Sequence, residues 1–398
     1  MKKERSCSST HAKKTSIGGQ ALMEGIMMRG PETTAMAVRN TQGKMIIESF
    51  PTETRKRSKF FKLPVIRGVF NYIDSMVLGT KCLMRSAEIS GLEEAEEEMR
   101  REKAAKKARK SAKRTEKTDA PEDNVSDKSK QPNEGEDAAE NFAEKKEEIS
   151  AGNSEADSAT GGENAEKPQK KESSPMMTAV MFFSVLLGIV FSVALFIIIP
   201  AYLYKGATFI MPFLKPDNKI AASLIKSVFE GVLKIAILVG YMAVISLMKD
   251  IKRTFMFHGA EHKTIFCYEQ GLELTVENVR KQRRFHPRCG TSFLILMLLV
   301  GIFVSFFIDP LYMLIFNVGE MPTILRVLVK LLLLPLIVGI GYELIKIAGR
   351  HDNMFTRIIS APGVWLQHIT TKEPDDSMIE CAIAALEKVI PENDSDKW

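Results

Sequence analysis

Four long apolar runs organise the second half of the chain: 176–204, about 231–248, 292 to about 308, and 324 to about 348. The first carries no charged residue, and runs of this length and character predict helices that cross a bilayer. The third run is interrupted by Asp309-Pro310, beyond which apolar residues continue to Phe316. Lys226, Glu230 and Lys234 precede the second run and are expected at the outer interface, where long side chains snorkel. Upstream, residues 64–91 follow a helical period. Val65, Val69, Tyr72, Ile73, Met76, Val77 and Leu83 share one face, while Arg67, Asp74 and Lys81 exclude a full span. An amphipathic helix lying on the inner leaflet or docked against the spans is expected there. Thr33–Arg39 and Lys44–Phe50 alternate like strands around Asn40-Thr41-Gln42-Gly43, a hairpin pattern. Glycines at 18, 19, 25 and 30 predict frequent turns before it.

Residues 92–174 break both patterns. They are almost wholly Lys, Glu, Asp, Ser, Gly and Asn, too polar to offset chain entropy, and are expected to be disordered. The same is expected of the basic, Ser-rich tail 1–16. The fold class is therefore mainly α: an integral membrane protein of about four spans, with a small N-terminal β-hairpin region, amphipathic helices and a long polar insert. The expected divisions are tail 1–16, Gly-rich cap 17–63, helix 64–91, insert 92–174, membrane domain 175–349 with a loop at 249–291, and C-terminal segment 350–398. Within the last, Trp365 suits an interfacial anchor, and a helix runs from Asp375 or Asp376 to Ile390, ended by Pro391.

A mean hydropathy of −0.05 averages these two unlike populations and does not argue for a soluble protein. The net charge of +6 is no nucleic-acid signature, and no nucleic-acid partner is expected. Basic residues cluster instead beside apolar runs. The loop between the second and third spans holds Lys249, Lys252, Arg253, Lys263, Arg280, Lys281, Arg283, Arg284 and Arg288. The positive-inside rule places it in the cytosol, with both termini cytoplasmic and the protein in the cell membrane. Lys205, Lys215 and Lys219, in the first outer loop, run against that rule. The N-terminus lacks the apolar core of a secretory signal, and five scattered cysteines predict reduced thiols. No G-x-x-x-x-G-K-[ST] accompanies the glycines, which argues against nucleotide binding.

The candidate chemistry lies in the basic loop, where residues 257–292 hold three of the six histidines. His258-Gly-Ala-Glu261-His262 is an H-x-x-E-H arrangement. A helix from Asp250 to Gln270, continuing the second span, puts His258 and His262 on one face, able to chelate one ion. Cys267 faces away from them. In metallopeptidases with this motif two histidines bind zinc and the glutamate is the general base, so Glu261 is the candidate catalytic residue. A catalytic zinc site needs a third ligand, which Cys289 or His286 could supply; both together would close the site and make it structural. Glu343, an ionisable group near the inner end of the fourth span, is a further candidate as a ligand, a partner to Arg288 or a proton carrier. His351 could support the site from behind. The cofactor expected is a divalent metal, zinc being favoured by the thiolate.

The segments GGQALMEGIMMRGP, PVIRGVFNYIDSMVLG, HGAEHKTIFCYE, LTVENVR, HPRCGTSFL and GYELIKIAGR, in this order, resemble the bacterial YqhQ-like family. That is a multi-span membrane family of unknown function commonly labelled as metal-dependent enzymes. The resemblance covers about residues 17–90 and 176–390 and omits the insert. It implies that Glu24, Arg29 and Arg67 lie near the site. Two functions are expected in consequence: a metal-dependent hydrolase acting on a peptide or lipid at the inner leaflet, or a non-enzymatic scaffold or assembly factor with a structural metal or none. The partners expected are the lipid bilayer and an unknown protein. A transporter is disfavoured because four spans show no inverted repeat.

Overall fold

The computed structural model describes residues 14–52, 58–91, 175–317, 321–351 and 353–397. The expected disorder at 92–174 and at 1–13 falls outside these residues. Thr15, assigned to the tail, is instead buried and bridges to Lys397. One compact unit holds Met1–Arg100 and Leu186–Trp398. The other is Arg101–Val185, whose described residues are the first turns of an apolar helix.

The N-terminal sheet has four antiparallel strands in sequential order, not two: β1 (Gly18–Leu22), β2 (Gly25–Arg29), β3 (Thr33–Arg39) and β4 (Met45–Pro51). Gly18, Gly19 and Gly25 sit within strands, while Gly30 lies in the β2–β3 turn, its N–H donating to the Thr33 carbonyl at 2.8 Å. A Cβ on Gly25 would lie 2.8 Å from the Val38 Cα, so close strand approach, not chain reversal, requires that glycine. The β1–β2 reversal falls instead at Met23-Glu24, with Glu24 in the left-handed region (φ 52). Strand alternation then separates two cores. Ile26, Met28, Ala35 and Ala37 face one; Met27, Met36 and Val38 face the other.

Helix α1 (Ile66–Ser90) covers the second face through Cys82 and ends at Gly91, in the left-handed region (φ 63). It also crosses the fourth span closely. A Cβ on Gly68 would lie 2.8 Å from the Tyr342 side chain and 3.1 Å from Gly339.

The four apolar runs are four helices long and apolar enough to cross a membrane. The first span, Phe183–Ile210, joins α2 (Pro175–Val193) and α3 (Ile199–Ile210) through one π-helical turn at Ala194–Ile198. The others are α4 (Lys219–Ile245), α7 (Gly290–Phe316) and α8 (Thr323–Arg350). Asn218 starts α4 by accepting from the backbone N–H groups of Ile220 and Ala221. The early start of α4 corrects the interfacial placement of Lys226, Glu230 and Lys234, since all three are buried within the bundle. Lys330 of α8 meets Glu230 there, and ionisable groups inside a bundle are tolerable when they face one another.

The motif helix α5 (Lys249–Glu269) does not continue α4. The chain turns at Ser246–Met248, and Met248 is extended (ψ 134). After α6 (Val276–Arg280) and α7–α8 come α9 (Met354–Thr370) and α10 (Asp376–Glu387). Helix α9 packs on α7 while exposing Met354, Phe355, Ile358 and Trp365, as an interfacial helix does. Helix α10 is capped by Asp375 and closes the first core over the sheet. Ile379 and Leu386 meet Phe257 and Ile265 of α5 there.

Candidate metal centre

Three ligand atoms from two elements converge on one point. His258 and His262 stand one turn apart on α5, ring centroids 4.4 Å apart. Cys289 caps the N-terminus of α7, its sulfur accepting from the Thr291 N–H at 3.4 Å. The ligand atoms of His258, His262 and Cys289 all lie within 4.8 Å of one another. The His258 Nε2 is 2.9 Å from the Cys289 Sγ.

Backbone carbonyls set the tautomers. His258 Nδ1 donates to the Thr370 carbonyl at 2.9 Å, and His262 Nδ1 to the Arg284 carbonyl at 2.5 Å. A carbonyl only accepts, so each neutral ring carries its proton on Nδ1 and presents the Nε2 lone pair to the group. Metal-ligating histidines are oriented in this manner. The His262 Nε2 is buried with no hydrogen-bond partner among the described residues. Two imidazole lone pairs and a thiol suit zinc or another thiophilic divalent ion. An ion between the three ligand atoms would satisfy that orphaned nitrogen.

Electrostatics separates Cys289 from the other described thiols. Burial pushes Cys82, Cys267 (to about 11) and Cys381 up. Burial acts on Cys289 as well, but His258 and His262 beside it bring it well below the usual thiol value. Burial would likewise lower His258, yet the facing Cys289 carries it to about 9. A thiolate is thus available at this position and not at the others.

Glu261 is buried next to the group, and burial pushes its carboxyl up against the opposing pull of His258 and His262. Its seat is made by Gly19 of β1, where a Cβ would lie 2.9 Å from the Glu261 Cγ and Cδ. Gly19 also walls a cavity of about 490 Å³, lined by Gln20, Arg29, Asn71, Ser75 and Tyr342 among others.

Other sequence candidates fall outside this three-residue group. His286 stands beside His262 with ring centroids 5.5 Å apart. Its Nε2 faces Glu269 at 3.9 Å, and burial lowers it to about 4. Glu343 pairs with Arg67, accepting at 2.7 and 2.5 Å, so its partner is not Arg288. Arg288 instead binds Glu269 and the Thr15 carbonyl. Cys267 lies against the Glu273 carbonyl at 3.5 Å. Glu24 pairs with Arg253, and Arg29 reaches Ser75 at 3.2 Å.

Gln367 of α9 is the support that residue patterns did not suggest. Fully buried, it accepts from the His286 N–H at 2.7 Å and donates to the His286 carbonyl at 2.7 Å and the Ser292 hydroxyl at 2.9 Å. It therefore clamps the loop that carries Cys289. Gly363 one turn earlier lets α9 approach, since a Cβ there would lie 2.5 Å from that of Ser292. A glutamine inside an apolar helix facing a Ser and a His-Pro loop was the available signal. Gln367→Leu leaves two buried backbone groups unpaired and is expected to cost about 2–4 kcal/mol. A melting temperature in detergent unchanged from the parent would contradict that role.

A helical bundle of four candidate spans, with a buried imidazole–thiol group where the motif helix meets one span, defines a candidate multi-pass membrane protein with a candidate metal site. Residues 63–392 match the family described as protein of unknown function (DUF1385), and the chain belongs to that family. It is similar to the uncharacterized protein YqhQ of Bacillus subtilis, with 28% identity over 386 residues, covering 96% of this chain and 94% of that protein. No solved structure matches the chain.

Proposed function

We propose that the chain is a metal-dependent hydrolase of the membrane's cytosolic face, acting on a peptide or lipid. The observation that carries this reading is the buried triangle of His258, His262 and Cys289, with both Nδ1–H groups tied to carbonyls and the His262 Nε2 unpartnered among the described residues. An ion held there would supply Lewis acidity toward a substrate oxygen and acidify water. Glu261, lodged against Gly19, would accept the proton and return it to the leaving group. The cavity at Gly19 would admit the scissile group, and Arg29 and Tyr342 would orient it. The basic loop 249–291 supports a cytosolic location for the site, with both termini on the same side. The bilayer is then a partner; the exposed apolar face of α9 suits its surface.

A structural reading has its own support. Cys289 on α7, His258 on α5 and Thr370 on α9 meet at the group, so an ion there would lock three helices without any reaction. The scaffold function, with an unknown protein partner, rests on that lock. Glu261→Gln separates the two. Hydrolysis requires at least about a hundredfold loss of turnover or of a cellular phenotype, with metal content and melting temperature preserved. Full complementation by Glu261→Gln, alongside loss of folding in His258→Ala, would end the hydrolase reading in favour of the scaffold.

A further inference from the structure

The opposite end of the bundle carries a second set of chemistry. Glu230 and Lys234 of α4 and Lys330 of α8 converge inside the spans. Both ammonium groups approach the same oxygen, Glu230 Oε2, at 3.6 and 3.5 Å. The other oxygen, Oε1, is buried without a hydrogen-bond partner among the described residues. Each ammonium has three donors. Among the described residues, two cations sharing one carboxylate oxygen at such lengths leave positive charge and donors unmatched in a place where unmatched charge is costly.

These two lysines are the polar end of an otherwise apolar cavity of about 450 Å³, walled by side chains such as Phe196, Met242, Leu298 and Leu334 and by Gly301. The volume is that of a small-molecule site. Beside it, toward the end of the bundle away from Cys289, lies a second cavity of about 470 Å³. Four basic side chains line that one, Lys215, Lys219, Lys226 and Arg326, against two acidic ones, Asp217 and Asp309. Lys215 and Lys219 are residues that ran against the positive-inside rule. A basic excess attracts anions even with Arg326 and Asp309 paired at 3.0 Å, and Asp309 of this cavity adjoins Ile308 of the apolar chamber in the chain.

We infer that the apolar cavity binds a single anionic amphiphile, its head on Lys234 and Lys330 and its hydrocarbon chain along Phe196, Met242 and Leu298. A long-chain carboxylate and a single-chain lipid phosphate share this chemistry. The lysines lie about 10 Å inside the Thr323 end of α8, at a rise of about 1.5 Å per residue. The head of a bilayer lipid held at the interface does not reach that depth, so a ligand must enter head and all. Gly231, beside Glu230, meets Ile302, so the charged end of the chamber lies about 20 Å along α7 from Cys289 on the same rise.

Native mass spectrometry of the full chain in nonionic detergent tests the assignment, with oleate, 1-oleoyl-lysophosphatidate or oleyl alcohol added. One bound oleate or lysophosphatidate per chain is expected, retained at least about tenfold better than the alcohol. Preference between the two acids tells the carboxylate source from the phosphate source. Lys234→Gln and Lys330→Gln are each expected to weaken binding about tenfold. Gly301→Leu leaves the charges intact and fills the chamber. A Cβ at Gly301 meets only Ile337 among the described residues, at 3.8 Å, so the side chain starts without a clash; a melting temperature matching the parent is expected, with binding lost. Equal retention of oleyl alcohol, or adducts that neither saturate nor respond to Gly301→Leu, overturns the inference. Should the lysine variants not fold, Gly301→Leu decides alone.

Discussion

Cys289→Ser is expected to strip the purified protein of its metal. The parent, prepared in detergent without chelator, should carry close to one divalent ion per chain, zinc by ligand chemistry. Serine keeps an oxygen acceptor for the Thr291 N–H, so the cap on α7 survives while the thiolate is lost. His262→Ala removes the buried Nε2 that has no other partner among the described residues and should act alike. Losing a direct ligand must cost more than losing a supporting group, for which about 10–100-fold in affinity is usual. Cys267→Ala and Glu343→Gln serve as controls, because the first sits against the Glu273 carbonyl and the second pairs with Arg67. Both should keep the ion. Elemental mass spectrometry reads all five proteins. A metal-free parent, or equal metal in Cys289→Ser and Cys267→Ala, would remove the basis of the hydrolase proposal.

The second large effect is expected from Arg288, through stability and not through chemistry. Its guanidinium binds Glu269 and donates to the Thr15 carbonyl at 3.1 Å, with both partners of the ion pair about 10% exposed. Glu269 also accepts from the Thr15 N–H at 2.9 Å, and the Thr15 hydroxyl donates to Asp396 at 2.7 Å. One buried network therefore joins the N-terminal strand segment, the end of α5, the loop before α7 and the C-terminus. Burial alone would raise Glu269; His286 and Arg288 beside it hold it below its ordinary value. Removing one partner of a buried pair strands the other charge, so Arg288→Met should cost about 3–5 kcal/mol. The double variant Arg288→Met/Glu269→Leu should be less destabilised than either single change implies, because no charge is stranded. Melting curves of the four proteins form the cycle. Additive losses would show that the two residues do not act as a pair.

The largest elements were legible in the residue pattern because they depend on local composition. Four apolar runs can only be helices in hydrocarbon, where every backbone group must be satisfied within its own segment. Their structural counterparts are the four candidate spans. The i, i+4 spacing of His258 and His262 likewise places two imidazoles on one face wherever the helix lies. The glycines misled. Gly19 and Gly25 are needed because Glu261 and β3 come close, and a contact between distant segments leaves no mark that distinguishes it from a turn. Lys226, Glu230 and Lys234 misled for the same reason. Hydropathy counts their charge, but whether Glu230 and Lys234 face water or other charges depends on Lys330, about a hundred residues away in the chain, a separation local patterns do not see.

By itself the sequence determined the number of candidate spans, the motif helix and the set of candidate ligands, since period, length and residue chemistry are local properties. Only the tertiary structure shows which of those candidates stand together. It brought Cys289 to His258 and His262 through the cap of α7. It turned His286 toward Glu269 and Glu343 toward Arg67, and it set Gln367 behind the loop. The physical reason is that a candidate ligand group is a matter of distances of a few ångströms between separate helices, and packing sets those distances.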